Sequence, residues 1–229
     1  MPTHFTNGIS DTAPGDPLYE MGQLDPTNYL TFWDDFIDEP FATEWTITAV
    51  SAGTGTSAIS TPDTHGGMAL ITSADAENDG IWAQKIAETF LMASGKKTWI
   101  KTRLSISDAT QSDWIVGLHS TSTTPLAATM RFLFKSEDGA ATVEFNNDNN
   151  TTDSDSDTVA TMSDATFVTL GAYYDGVTSI KLDADGVLIT TMTGITVPAA
   201  EMAVGFGAIN GSASVETTNV DYILVAQER

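Results

Sequence analysis

The chain contains no cysteine. Disulfide scaffolds, thiolate metal sites and cysteine nucleophiles are therefore excluded, and outside a cell the protein would rely on core burial and oligomerisation rather than cross-links. Bases are scarce as well. Nine Lys and Arg stand against 31 Asp and Glu, a formal charge of −22, and no base precedes Lys85. Five of the nine fall in one stretch, at Lys85, Lys96, Lys97, Lys101 and Arg103. So acidic a chain is repelled by phosphate backbones and anionic lipid, so neither nucleic acid nor a membrane is expected as a partner. No run approaches the ~18 apolar residues of a transmembrane helix. The N-terminus has neither a basic n-region nor an apolar h-region, so an ordinary secretion substrate is not expected either.

What is present reads as β-structure. Only 17% of residues are charged and 41% are hydrophobic, with Thr, Ser, Ala and Gly filling much of the rest, which suits a globular chain better than a disordered one. From Phe167 to Thr191, two Asp-Gly pairs (Asp175-Gly176 and Asp185-Gly186) punctuate runs of Val, Ile, Thr and Tyr. Asp-Gly between β-formers signals a tight hairpin, because both central residues of a type I′ turn need φ > 0. Ile180 and Leu182 then face a core while Lys181 and Asp183 face water. The same grammar runs through TWIKTRLSI from Thr98, WIVGLHS, ATMRFLFKS, ATVEFNN, MAVGFGAIN with its Asn210-Gly211 turn, and the closing Val220–Ala226. Ala83–Ala93 reads equally as a short helix or a strand and loop. Some twelve to fourteen strands in two antiparallel sheets are expected, an all-β jelly-roll or concanavalin A-like sandwich over residues 29–229.

Residues 1–28 differ. Pro2, Pro14, Pro17 and Pro26 rule out a helix or central strand, yet Phe5, Ile9, Leu18, Tyr19 and Leu24 are too apolar for a free linker. This reads as an extended arm laid on another surface, either its own sandwich or a neighbouring subunit. The five anchors are its expected contact residues.

No catalytic constellation is evident. His4, His65 and His119 lie far apart without metal-type spacing, and read as surface or loop residues. Asp153, Asp155 and Asp157 in NNDNNTTDSDSD alternate like calcium-loop ligands, but the loop Gly and trailing Glu are missing, so the segment reads as a solvated loop. In a strand the same spacing would crowd all three on one face. Glycanases built on a sandwich pair two carboxylates, typically on an ExDxxE strand. Here Glu144 stands alone, and the adjacent Asp34 and Asp35 would point to opposite faces. Trp33, Trp45, Trp82, Trp99 and Trp114 each sit in an apolar run and read as core rather than as a sugar platform. No catalytic residue, metal or cofactor is expected.

Five segments together resemble one family. They are MPTHFTNGIS at the start, FWDDF from Phe32, SDWIVGLHSTSTTPL from Ser112, DATFVTLGAYYDG from Asp164 and VDYILVAQER from Val220. Virion proteins of tailed bacteriophages with a concanavalin A-like or jelly-roll sandwich, associated with head decoration, carry similar segments. Where fuller members follow TPL with a DGIYF-like strand, this chain reads Ala127–Phe134, AATMRFLF. The resemblance implies a non-enzymatic capsid cement protein. It would be made in the host bacterial cytoplasm and placed on the outer capsid surface, clamping neighbouring major capsid proteins. A symmetric body gains avidity, so a homotrimer is expected, with the base-free N-terminal third packed on the Lys85–Arg103 stretch of a neighbour. A glycan-binding virion module that holds surface sugars is the alternative, and a glycan-cleaving tail component the third reading.

Overall fold

The computed structural model describes residues 28–37, 41–62 and 67–229. The arm and its anchors Phe5, Ile9, Leu18, Tyr19 and Leu24, together with His4 and His65, lie outside the described residues. The chain runs through β1 (Tyr29–Asp34), a single helical turn α1 (Phe41–Glu44), β2 (Trp45–Val50), β3 (Ala58–Ser60), β4 (Ala69–Thr72) and β5 (Gly80–Lys85). It continues with β6 (Phe90–Leu91), β7 (Thr98–Ile106), β8 (Ser112–His119), β9 (Met130–Ser136), β10 (Thr142–Asn149) and β11 (Asp153–Thr161). β12 (Val168–Tyr174), β13 (Ser179–Ala184), β14 (Val187–Thr193), β15 (Glu201–Asn210) and β16 (Thr217–Glu228) complete it. The described strands exceed the expected number because β3 and β6 are too short to show a period of two. Ala83–Ala93 resolves as the end of β5, a loop and β6, not a helix.

Two antiparallel sheets form. Sheet I has the order β11-β10-β9-β8-β15-β5-β2, with β6 also on β15. Sheet II has the order β14-β13-β12-β7-β16-β4-β3, with β1 also on β16. The fold is a concanavalin A-like, jelly-roll β-sandwich. Alternation builds its interior. Along β7, Ile100, Thr102, Leu104 and Ile106 point inward and are at most 1% exposed, while Trp99, Lys101 and Arg103 point out. From sheet I, Phe145 meets Phe132 and Phe134 edge-on, at 4.8 and 5.0 Å between ring centroids. Phe206 meets Trp45 edge-on at 5.0 Å and packs with Phe36 and Phe41. Edge-to-face placement matches the ring quadrupoles and fixes side-chain geometry as well as burying area.

The meander stands where the sequence puts it. Ile180 and Leu182 are fully buried and Lys181 and Asp183 are not. Asp185 and Gly186 both have positive φ (51° and 77°), as a type I′ turn demands. The first Asp-Gly differs. Only Gly176 has positive φ, because Asp175 Oδ1 gathers the N–H groups of Val177, Thr178 and Ser179 into a wider loop. Asn210 is more than a turn residue. Fully buried, it accepts from Asp79 N (2.8 Å) and donates to the carbonyls of Ala74 (3.0 Å) and Ser214 (2.7 Å). Asp79 in turn accepts from Ala52 N and Ala76 N, pinning the small-residue stretch after β2. The Ala52 N–H, opposed by desolvation and helped by Ala76 and Gly53, holds this carboxyl below its usual range.

Candidate functional site

Each sheet has an outer face, and the two differ. That of sheet I is filled. Trp82, Ile115 and Leu133 cluster there, at most 4% exposed, under Val50, Ile209 and Leu126. Leu126 arrives on the loop between β8 and β9, which folds back across the sheet. Thr121 N donates to Glu88 Oε1 (2.6 Å), Ser122 N donates to Gln84 Oε1 (2.9 Å), and Arg131 donates to the Leu126 carbonyl. His119 ends β8 on this face. It is 1% exposed, not a surface residue, and its ring lies over Gly205, where any Cβ would fall 2.0 Å from Nε2. Its Nδ1 is 2.8 Å from the Ser120 carbonyl.

Burial holds the His119 imidazole below its usual range, against the Ser120 carbonyl and the Glu88 charge. The unfolded chain takes up this proton near pH ~6.5 while the folded chain resists it, so the stability it contributes is complete above that pH and lost as pH falls. The thermal midpoint is expected to drop between about pH 6.5 and 5, and to drop less in His119→Gln. Asp113 and Asp155, whose carboxyls burial pushes up, act in the opposite direction at lower pH and are common to both proteins. Equal slopes in the two melting series would contradict the assignment.

Towards its free edge, sheet I carries acids. The segment expected as a solvated loop is a strand from Asp153 onward, because β10 turns at Asn149–Thr152 and pairs back along β11. Asp153 and Asp155 do share a face, and the Asn146 amide bridges them, donating to Asp153 Oδ1 at 2.7 Å and to Asp155. Arg131 bonds Asp148 (2.8 Å) and Lys135 bonds Glu137 (2.9 Å), with Glu144 3.4 Å from Lys135. Glu144 is thus one arm of an ion-pair network. On β8, the central strand of this region, the outward residues are Asp113, Ile115, Gly117 and His119, a single acid. Asp34 accepts the Phe36 N–H at the end of β1. Among the described residues no three His, Cys, Asp or Glu side chains converge as a metal group would require.

The outer face of sheet II is built from aromatics and bases. Trp33 on β1 is 56% exposed and stacks on Tyr222 of β16, with ring centroids 5.2 Å apart and planes at 25°. Beside them Arg103 bonds Asp221 at 2.6 Å and lies over the Phe167 ring at 4.1 Å. Both members of that ion pair keep solvent contact, 40% and 27%. A β-bulge makes the cluster possible: register slips between Val220 and Tyr222, so Asp221 is the extra residue and need not obey the alternation that would turn it from Tyr222. Thr102 Oγ1 donates to the Tyr222 carbonyl and secures the bulge (2.9 Å). Burial raises the Tyr222 phenol, with Thr169 as its hydrogen-bond partner, so it stays a neutral donor at physiological pH. An exposed aromatic plane flanked by a guanidinium, a carboxylate and a phenol stacks an apolar sugar face and hydrogen-bonds its hydroxyls.

Trp45 and Trp114 lie in the core between the sheets, Trp82 and Trp99 are buried in smaller clusters on the outer faces, and Trp33 alone of the five is exposed. The signal was in the sequence. Phe32 and Trp33 are neighbours on one strand, so they face opposite ways, and Phe32 packs edge-on against Trp45. The pairings Trp33–Tyr222 and Arg103–Asp221 gave no such signal, being remote along the chain. An open apolar groove of about 410 Å³ at one end of the sandwich, lined by Met92, Tyr174, Val177, Ile195 and Val197, offers no comparable set of polar groups.

Protein-family models and curated protein sequences give no match to the chain. Solved structures do. A protein of unknown function from Shewanella oneidensis MR-1 superposes with a TM-score of 0.58 at 14% identity, covering 95% of each chain. The endo-1,3-β-glucanase from Streptomyces sioyaensis gives 0.57 at 14% identity, over 89% of this chain and 98% of that one. The carbohydrate recognition domain of Emp47p gives 0.57 at 10% identity, over 88% and 97%. At these identities the likeness is one of fold, a fold that both glucanases and carbohydrate recognition domains use.

Proposed function

We propose that this chain is a non-catalytic glycan-binding sandwich that holds a sugar ring on the Trp33–Tyr222 platform. The observation that carries the reading is the exposed, stacked Trp33 indole beside the Arg103–Asp221 pair. A large aromatic left in water next to oriented polar groups is the usual anatomy of a recognition surface. That carbohydrate recognition domains share the fold is consistent with it. The non-catalytic half rests on how the acids are engaged. Those of sheet I are held by Arg131, Lys135 and Asn146, and its central region is covered by the β8–β9 loop. A glycan array probed with the full chain should return binders, and the same glycans should come back uncleaved. Turnover that disappears in Asp113→Ala or Asp155→Ala would overturn the non-catalytic half, and an array without binders would overturn the glycan half.

A second reading follows from the five segments resembling phage head-decoration proteins: a virion protein on the outer capsid surface that clamps neighbouring major capsid proteins as a trimer. Two of those segments supply structural parts noted above, since Ser112–Leu126 forms β8 and the loop that covers sheet I, and Val220–Arg229 forms the bulged strand of the platform. The two readings are compatible, because a capsid subunit can hold surface glycans. Copy number per virion tests the second, with hundreds expected for capsid decoration. The base-rich stretch is a weaker trimer contact than the sequence suggests, because Lys85, Lys97 and Arg103 have acidic partners within the chain (Glu44, Glu228 and Asp221).

A further inference from the structure

One edge of the sandwich lacks the features that usually keep strand edges from pairing. β14 ends sheet II, and among the described residues it pairs with β13 alone. Its outer side therefore offers backbone N–H and C=O groups to another strand. Charges, prolines and shortness normally blunt such an edge. Here residues 186–200 hold no Asp, Glu, Lys or Arg in a chain of charge −22, and β14 runs seven residues without a proline. β11, the end strand of sheet I, is treated the opposite way, since its sequence opens with Asp153, Asp155 and Asp157. β14 does carry a bulge at Ile189, but residues 190–193 stay in regular register with 179–182.

The two ends of this strand complement each other. At the hairpin tip Val187, Leu188 and Ile189 are 62%, 57% and 46% exposed, three large apolar side chains in a row. At the other end, just past Thr193, lies the open apolar groove of about 410 Å³ lined in part by Val177, Ile195 and Val197. Ile195 N donates to the Thr178 carbonyl (3.2 Å), which fixes that part of the groove at the foot of the β13–β14 hairpin. When two copies of a strand pair antiparallel about a twofold axis, residues equally far before and after the axis come opposite. With the axis at Thr191, in the regular stretch, residues 187 and 195 are brought together. The apolar tip of each copy then meets the groove of the other, twice per dimer. A second copy also brings the same uncharged edge, whereas approach through the acidic surfaces is repulsive.

We propose that β14 is a self-pairing edge through which two copies of the chain join antiparallel, making sheet II continuous across a dimer. The contact is isologous and closes at two copies, so it is distinct from a trimer interface. Its axis stands perpendicular to the sheet, because paired residues of antiparallel strands share a face. Both outer faces of sheet II therefore look the same way. The two Trp33 platforms, at the β1 side of each sheet, lie about 50 Å apart, roughly eleven strand spacings of ~4.8 Å. The dimer thus presents two sugar sites to one surface and gains avidity there. That consequence rests on the glycan-binding reading, and the pairing itself does not.

Sedimentation of the full chain, with no glycan present, tests the pairing. A monomer–dimer equilibrium is expected that tightens with added salt, because the contact is neutral and salt screens the repulsion between two acidic bodies. Leu188→Glu, at an exposed position, should raise the dimer dissociation constant by at least about tenfold while the chain stays folded. A monomer at every concentration up to about 100 µM, a dimer that weakens with salt, or one that Leu188→Glu leaves intact would overturn the proposal. The chain has no cysteine, so a single introduced thiol reports on the register. Residues facing each other across an antiparallel pair have Cα atoms about 4.5–5.5 Å apart, within disulfide range. Thr191→Cys should therefore link two copies under mild oxidation, well ahead of Val215→Cys, which is exposed on the β15–β16 loop. Equal rates for the two variants would overturn the pairing. Neither readout involves a sugar, so failure of the glycan reading would leave both results standing.

Discussion

Replacing Trp33 with Ala is expected to abolish measurable glycan binding while shifting the thermal midpoint by only a few degrees. The two readouts separate because the indole is 56% exposed and its main intramolecular partner is Tyr222. Losing one such aromatic stack costs about 0.5–1.5 kcal/mol, and each kcal/mol moves the midpoint of a domain this size by about 2–4 °C. For the ligand the same residue is the central anchor. Truncating an anchor of that kind typically costs about 2 kcal/mol or more, roughly a thirtyfold loss of affinity. A weak sugar complex would fall below detection. Trp33→Tyr, which keeps an aromatic plane, should retain most of the binding. Arg103→Ala should weaken binding less than Trp33→Ala, since it removes hydroxyl recognition but leaves the stack. Isothermal titration with whichever glycan an array returns decides the matter. Unaltered affinity in Trp33→Ala would place the sugar elsewhere on the sandwich.

The reverse dissociation is expected at Phe206. This side chain is fully buried on the inner face of sheet I and contacts Phe36, Phe41 and Trp45, at centroid distances of 5.3, 6.5 and 5.0 Å. It therefore ties sheet I to Phe36, just after β1, and to Phe41 of α1. Phe206→Ala removes the ring and leaves a cavity, at a cost of about 3–5 kcal/mol. The midpoint should fall by roughly 6–20 °C, a large part of the margin by which an ordinary domain stays folded. Phe206→Leu fills part of the space and should lose less. Binding by the remaining folded protein should be unchanged, since the platform lies on the opposite sheet's outer face. Urea titration with a fixed slope measures the loss, and a value below about 1 kcal/mol would show that the aromatic knot does not anchor this end of the core.

The sequence by itself determined what depends on near neighbours. Alternation is set by the two-residue repeat of an extended backbone, so it announced Ile180 and Leu182 as inward residues before any strand was paired. Turn chemistry is equally local, and Asp185-Gly186 adopts the positive φ pair that its residues favour. The all-β class followed from the repetition of those two signals. What lies beside an outward side chain, and what pairs with its charge, is another matter. It depends on which strand lies alongside, and here β16, at the end of the chain, pairs with β1 near its beginning. Only that pairing stacks Trp33 on Tyr222, and only a bulge at Asp221 brings it to Arg103, 118 residues away in sequence. His119 resembled a strand-end surface residue because the loop that helps to cover its face follows it in the chain and returns over the sheet. Asp153 and Asp155 resembled cation ligands because Asn146, which bonds both, stands on the neighbouring strand. Cover and charge pairing are long-range contacts, and a linear pattern carries no record of them until the sheets close.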